Sequence, residues 1–226
     1  MEKKFELTDK FVINAFGIKL FQIKCTKSFK YANEGDLGGY VEKEDNLSQS
    51  GDAWVSGDAQ VYGDALVSGD AQVYGNARVS GNAQVSGDAQ VYGDALVSGD
   101  AQVYGNARVS GNAQVSGDAL VSGDAWVSGD ALVSGDAQVY GNARVYGNAR
   151  VENNHMHCGF DCFGSCNRHT HAYKTKGNKV EITCGCFRGN IEEFERKVEE
   201  THSGTIYEKQ YKAIINLIKI KFGIDG

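Results

Sequence analysis

Ser50-Gly51-Asp52-Ala53-Trp54-Val55 opens a run of hexads that closes at Tyr146-Gly147-Asn148-Ala149-Arg150-Val151. Seventeen units of the form Ser/Tyr-Gly-Asp/Asn-Ala-X-Val follow one another without insertion and fill 102 of the 226 residues. Ala-X-Val is a short alternating strand, so Ala and Val share one face and X takes the other. Gly followed by Asp or Asn is a turn, because these residues tolerate left-handed backbone angles. A six-residue strand and turn cannot bury its apolar face alone. Stacked copies can, so the period predicts a solenoid.

Composition narrows the classes. The chain has no proline and a net charge of −6. The repeat carries 11 Asp against four Arg, a formal −7, and the flanking segments together sum to +1. An acidic chain of pI about 5.4 is a poor match for a nucleic-acid binder, which needs a Lys/Arg surplus. No apolar run is long enough to span a membrane. Charges such as Glu6, Asp9 and Lys10 interrupt any candidate signal-peptide core, which predicts a cytoplasmic protein. Five of the six cysteines fall in the last 70 residues, so thiols or a metal are expected rather than a disulfide framework.

The hexad resembles the hexapeptide repeat of left-handed parallel β-helices, with an aliphatic residue followed four positions later by a small one, as in Val55 and Ala59 or Val145 and Ala149. The resemblance implies three hexads per coil. The X residues then stack in three columns. One reads Trp54, Gln72, Gln90, Arg108, Trp126, Arg144; a second Gln60, Arg78, Leu96, Gln114, Leu132, Arg150; the third Leu66, Gln84, Gln102, Leu120, Gln138. None is uniformly apolar, charged or aromatic. Residues 56–85 and 86–115 are identical, and thirty residues are five hexads. Five is no multiple of three, so the second copy lands one face round from the first. That suits a stem of interchangeable hexads better than a site read across one face. Trp54, Trp126 and the six repeat tyrosines are expected at the surface, where they could pack against another copy, a trimer being common among hexapeptide-repeat proteins. Many of those proteins are acyltransferases that use a His near an inserted loop. This repeat has neither, which leaves an acyltransferase-like enzyme as the alternative.

The flanks are not repetitive. Residues 1–49 read as an N-terminal β cap, with a hairpin from Phe11–Asn14 and Lys19–Lys24 and an irregular lead-in coil at Val41 and Leu47. Residues 152–226 read as a small α+β module. His155, His157, Cys158 and Cys162, near Cys166, His169, His171, Cys184 and Cys186, are candidate metal ligands, and zinc is the metal such a set would take. Their spacing fits no familiar zinc module, so the competing expectation is a β unit with buried thiols and solvent-facing histidines and no cofactor. Ser165, Asn167, Arg168, Arg188 and His202 are the candidate ligand contacts, Arg168 foremost. Asn190-x-x-Glu193 and Thr205-x-x-Glu208 start two helices. In the second, Tyr207, Tyr211, Ile214, Ile218 and Phe222 form one apolar face, and Ile215, Leu217 and Ile220 widen it beyond a single stripe.

Three stretches together resemble proteins encoded by phages and prophages: Gly35-Asp-Leu-Gly-Gly-Tyr-Val41 with Asn46-Leu-Ser48, the hexads, and Gly185-Cys-Phe-Arg-Gly189 with Phe194, Val198 and Thr201-His202. The resemblance implies that Ser165, Arg168, Cys186 and Phe187 belong to a common pattern and most of the extra His and Cys do not. The chain is therefore expected to be a left-handed parallel β-helix with an N-terminal β cap (1–49), a hexapeptide-repeat rod (50–151) and a C-terminal α+β module (152–226) ending in two helices. Its expected role is that of a non-enzymatic binding or scaffold protein in a bacterial host cell. The module would contact a host protein or a small-molecule signal, a nucleotide among them, and so counteract host defence, with a structural virion part as a further alternative.

Overall fold

The computed structural model describes residues 3–224. β1 (Phe5–Ile13), β2 (Lys19–Cys25) and β3 (Leu37–Val41) precede seventeen two-residue strands, β4 (Trp54–Val55) to β20 (Arg150–Val151), one per hexad. They are followed by β21 (His157–Phe163), β22 (Arg168–Lys174), β23 (Val180–Cys184), β24 (Phe187–Gly189), α1 (Ile191–His202) and α2 (Ile206–Phe222). The hexads wind into a mainly β, parallel solenoid of about six turns. Each strand pairs in parallel with the one eighteen residues on, as Gln72 with Gln90 and Gln90 with Arg108. Three sheets result, and the X columns stack in the order the repeat implies.

Every repeat Ala and Val is buried, so the rod's core is a layered column of two small side chains per hexad. Narrowness follows from the corners. Gly87 has φ +68, and a Cβ there would lie 2.9 Å from the nitrogen of Gly105 in the next coil. Only glycine lets successive corners approach that closely. The neighbouring Asp and Asn stack too. Asn76 donates to Asp94 at 2.9 Å, Asn82 to Asp100 at 2.7 Å, Asn106 to Asp124 at 3.0 Å and Asn112 to Asp130 at 2.9 Å. An amide set between carboxylates turns a repulsion into a hydrogen bond.

The ladder has a polarity. N–H groups of one coil bond carbonyls of the next, as Trp54 to Ala71 and Ser56 to Val73, both at 2.9 Å. The first coil therefore presents unmet carbonyls, and the N-terminal segment meets them. Lys4 Nζ donates to Gly51 and Ala53, Asn46 Nδ2 to Gly63 and Ala65, and the amides of Tyr40, Glu42 and Ser48 to Ala59, Val61 and Val67. Burial lowers the Lys4 ammonium to about 8, the Asp52 charge partly opposing it. Phe5, Ile23 and Leu47 continue the core past the first coil. The hairpin is longer than the sequence suggests, since β1 begins at Phe5. β3 joins the solenoid itself, pairing with β5 (Gln60–Val61). Trp54 corrects the expectation of an exposed tryptophan. It is buried under this segment, its ring 5.4 Å from that of Phe29. Tyr62 is buried as well, and Trp126 is half-buried with Nε1 donating to Ser110.

Asn112→Asp would place three carboxylates, at 94, 112 and 130, in one unbroken column. The expected loss is about 0.5–1 kcal/mol at low ionic strength, shrinking in ~0.5 M salt. Urea denaturation at the two ionic strengths measures it.

Candidate functional site

The C-terminal module sits on the far end of the rod, and its chemistry-bearing residues are arranged by strand alternation. In β22, His169, His171 and Tyr173 face the rod, whereas Thr170 and Ala172 face away. Tyr173 is fully buried and belongs to the rod's own core cluster, plugging its open end. The last coil's unmet groups are taken one by one. Arg144 O accepts from His171 Nδ1 at 3.1 Å and from Thr183 Oγ1 at 3.4 Å. Gln138 N donates to Asn154 Oδ1 at 2.9 Å, and Tyr146 N to the Tyr173 hydroxyl at 3.4 Å. That hydroxyl in turn donates to Glu181, which also holds Arg188 at 2.6 Å. Burial and the Glu181 carboxylate push the Tyr173 phenol well above its usual range.

Bonding logic fixes the histidine tautomers. His171 must donate through Nδ1 to a carbonyl, so its Nε2 accepts from His157 Nδ1, 3.0 Å away. A neutral His157 then offers only a lone pair to Asn154 Oδ1 at 3.5 Å, an oxygen that already accepts from Gln138. Burial outweighs the pull of these acceptors. It lowers His157 to about 4, helped by the Lys221 charge, and lowers His171 to about 3, helped by His157.

Beside this pair lies a cleft of about 470 Å³ at the junction, lined among others by Gln138, Tyr140, Asn154, Asp161, His169 and Lys221. His169 donates through Nδ1 to Asp161 at 2.6 Å, and its buried Nε2 has no partner among the described residues. The carboxylate orients the ring as it would a general base. No hydroxyl or thiol lies within bonding reach of Nε2, so the described residues supply no nucleophile for it.

The four candidate metal ligands are not brought together. His155 is exposed in the turn before β21, and His157 is buried facing the rod. Cys158 points to the opposite face, where burial raises its thiol to about 11, and Cys162 is exposed at φ 64. No group of three or more His, Cys, Asp or Glu among the described residues is arranged for a metal ion. The expectation of buried thiols and solvent-facing histidines is met only in part, by buried Cys184, half-buried Cys158 and exposed His155. Cys162, Cys166 and Cys186 are exposed, while His157 and His171 are buried as rod-capping groups.

The candidate ligand contacts separate into two places. Ser165, Asn167 and Arg168 are exposed at the β21–β22 turn. Arg168 lies over Gly185 of the β23–β24 turn and has no ion-pair partner among the described residues. Tyr211 packs beneath, its phenol raised to about 12 by burial, and His202 stacks on it at 5.4 Å. Arg188 stands apart, its guanidinium against Gly147 of the rod. Sequence reasoning missed Tyr173, Thr183, Asn154 and the Asp161–His169 pair. The period-two pattern from His169 to Tyr173 was the available signal for the first face.

Geometry defines the class first: a parallel β-solenoid closed at both ends by its own chain. Comparison narrows it. A model of the bactofilins, described as polymer-forming and cytoskeletal, matches residues 65–167, most of the rod and the start of the module. The match spans under half of the chain and is a likeness of that part. No curated protein matches the chain. Among the described residues no helix is long and apolar enough to cross a membrane.

The buried imidazoles make the junction pH-sensitive. Their folded-state values lie below the usual 6.5. Their stabilisation is therefore complete above about pH 6.5 and is lost as pH falls toward 4, where the unfolded chain binds protons that the folded one refuses. The expected cost for the pair is on the order of a few kcal/mol. His171→Gln should flatten that part of the profile, read as the urea midpoint between pH 7 and 4.

Proposed function

We propose that the protein is a non-enzymatic scaffold that assembles with copies of itself, the rod setting distance and the C-terminal module making contacts. The observation that carries this is the rod. Seventeen hexads run without a loop, a histidine or a uniform face, and a thirty-residue block is duplicated out of phase with the eighteen-residue coil. A surface that tolerates such a shift is a spacer. The likeness of residues 65–167 to a polymer-forming family supports self-assembly.

Deleting residues 56–85 tests the spacer role. The identical residues 86–115 would move up to meet the N-terminal cap, so every cap contact within the first hexads is regenerated. The expected product is folded and still self-associates. It is shorter by about 8 Å, from the strand spacing of ~4.8 Å, with the module turned one face round. A folded deletion that no longer self-associates would place the contact on the rod and sink the spacer role.

The finer part of the proposal concerns the partner. The Ser165–Arg168 turn is an exposed, polar surface with an uncommitted guanidinium, suited to a host protein or a small anionic signal, in keeping with the resemblance of the flanking motifs to phage and prophage proteins. Arg168→Ala is expected to abolish capture of such a target from a bacterial lysate, read by mass spectrometry, while self-association measured by sedimentation stays unchanged. Capture that survives the substitution counts against this turn as the binding surface.

A further inference from the structure

α2 has two apolar faces, and the fold uses one. Tyr211, Ile214, Ile215 and Ile218 are buried in the module's core. On the opposite side Ile206 is 60% exposed, Leu217 50% and Ile220 69%, with exposed Ala213 between them. Steps of seven, four and three residues place these side chains in one stripe, the spacing of a helix–helix seam. Contiguous apolar surface of this kind marks an interaction site.

Charge decides among the occupants. Four lysines give α2 a net +3, which alone would suit an anionic membrane. Yet Lys212 pairs with Glu208 and Glu199, and Lys219 with Glu195. The adjoining α1 carries a net −3, so the helical layer sums to zero beside a rod of −7. The rod of another copy offers no apolar column to receive the stripe. A second α2 does. Ile206 and Ile220 stand seven residues either side of Ala213, and Leu217, four residues on, falls opposite Lys209 of the other copy, where the lysine's alkyl stem can cover it. In an antiparallel pair about a two-fold axis, each Ile206 meets the other copy's Ile220, and the two Ala213 residues meet at the axis, where small side chains allow close approach. Antiparallel helix dipoles favour the same arrangement.

We propose that α2 is a self-association surface, packed antiparallel against α2 of a second copy about a two-fold axis through Ala213. The proposal rests on the self-assembling scaffold reading and gives it a contact. Both rod ends are closed by the chain itself, so coil-on-coil stacking is not open to it. Seventeen residues make a helix of about 25 Å. Two such helices bury roughly 800 Å² or less, under the ~1,200 Å² of a stable complex, so the pair is weak in isolation and forms at micromolar or higher concentration.

Sedimentation of the full chain over a concentration series tests it. A monomer–dimer equilibrium is expected. Leu217→Lys with Ile220→Lys should weaken it by about 100-fold or more, since a two-fold pair loses four apolar side chains at roughly threefold to tenfold each, with helix content by circular dichroism unchanged because both positions are exposed. Ala213→Cys, oxidised with diamide, should give a linked dimer faster than wild type and faster than Lys197→Cys on α1. Self-association that ignores the double substitution, or Ala213→Cys that cross-links no faster than its controls, overturns the contact and leaves the scaffold reading standing. Wild type that stays monomeric throughout overturns both. Binding of a monomeric wild type to phosphatidylglycerol vesicles, lost in the double substitution, would assign the stripe to a membrane instead.

Discussion

Every coil of the solenoid hydrogen-bonds to the next, and the structure depends on what happens where that ladder stops. The first coil offers carbonyls, and the last offers the carbonyl of Arg144 and the amides of Gln138 and Tyr146. Unpaired, each buried group would cost roughly 1–3 kcal/mol. The N-terminal segment answers with donors: an ammonium, a carboxamide and three backbone amides. The C-terminal module answers with both kinds, His171 and Thr183 donating, Asn154 and Tyr173 accepting. The caps are matched to the polarity of the ladder and could not be exchanged.

Between the caps the hexads are free to drift because their constraints are local. Gly fixes the corner, Ala and Val fill the core, and only the Ser/Tyr position, the Asp/Asn position and X vary in chemistry. The second of these is not neutral. Asn112 bonds Asp130, and Asn76 bonds Asp94, so amides break up one acidic column, while Asp100, Asp118 and Asp136 stack in another with none between them. Where carboxylates do stack near the N-terminal cap, at Asp52, Asp70 and Asp88, the field of Lys4 and Lys30 covers them.

How far the sequence could be read follows from the range of the interactions. The rod was legible because its determinants recur every six residues, and both helices because Asn190 and Thr205 cap the amides of Glu193 and Glu208 as their spacing requires. The junction was not legible. Nothing local distinguishes His171, buried against Arg144 twenty-seven residues earlier, from His155, exposed in a turn. The His/Cys density that suggested a metal is split by strand alternation: His157, His169 and His171 face the rod, Cys158 and Cys184 face the helices, and Cys162, Cys166 and Cys186 are exposed. Alternation along β21 separates His157 from Cys158, which adjacent positions in a sequence conceal. Trp54 was misjudged for a related reason, since its X position predicts exposure and only the overlying Phe29 buries it.

The likeness to a polymer-forming family covers residues 65–167 and leaves the N-terminal cap and most of the C-terminal module outside it. A bare solenoid can extend by stacking its raw ends. Here those ends are filled by Phe5, Ile23 and Leu47 on one side and Tyr173 on the other. Capping closes off a contact made of backbone, which any coil can join, and in the proposed scaffold recognition would fall to side chains on the module, which can discriminate. The exposed stripe of α2 and Arg168 lie on different surfaces of that module, so the proposed contact between copies and the proposed contact with a separate target would not compete for the same residues.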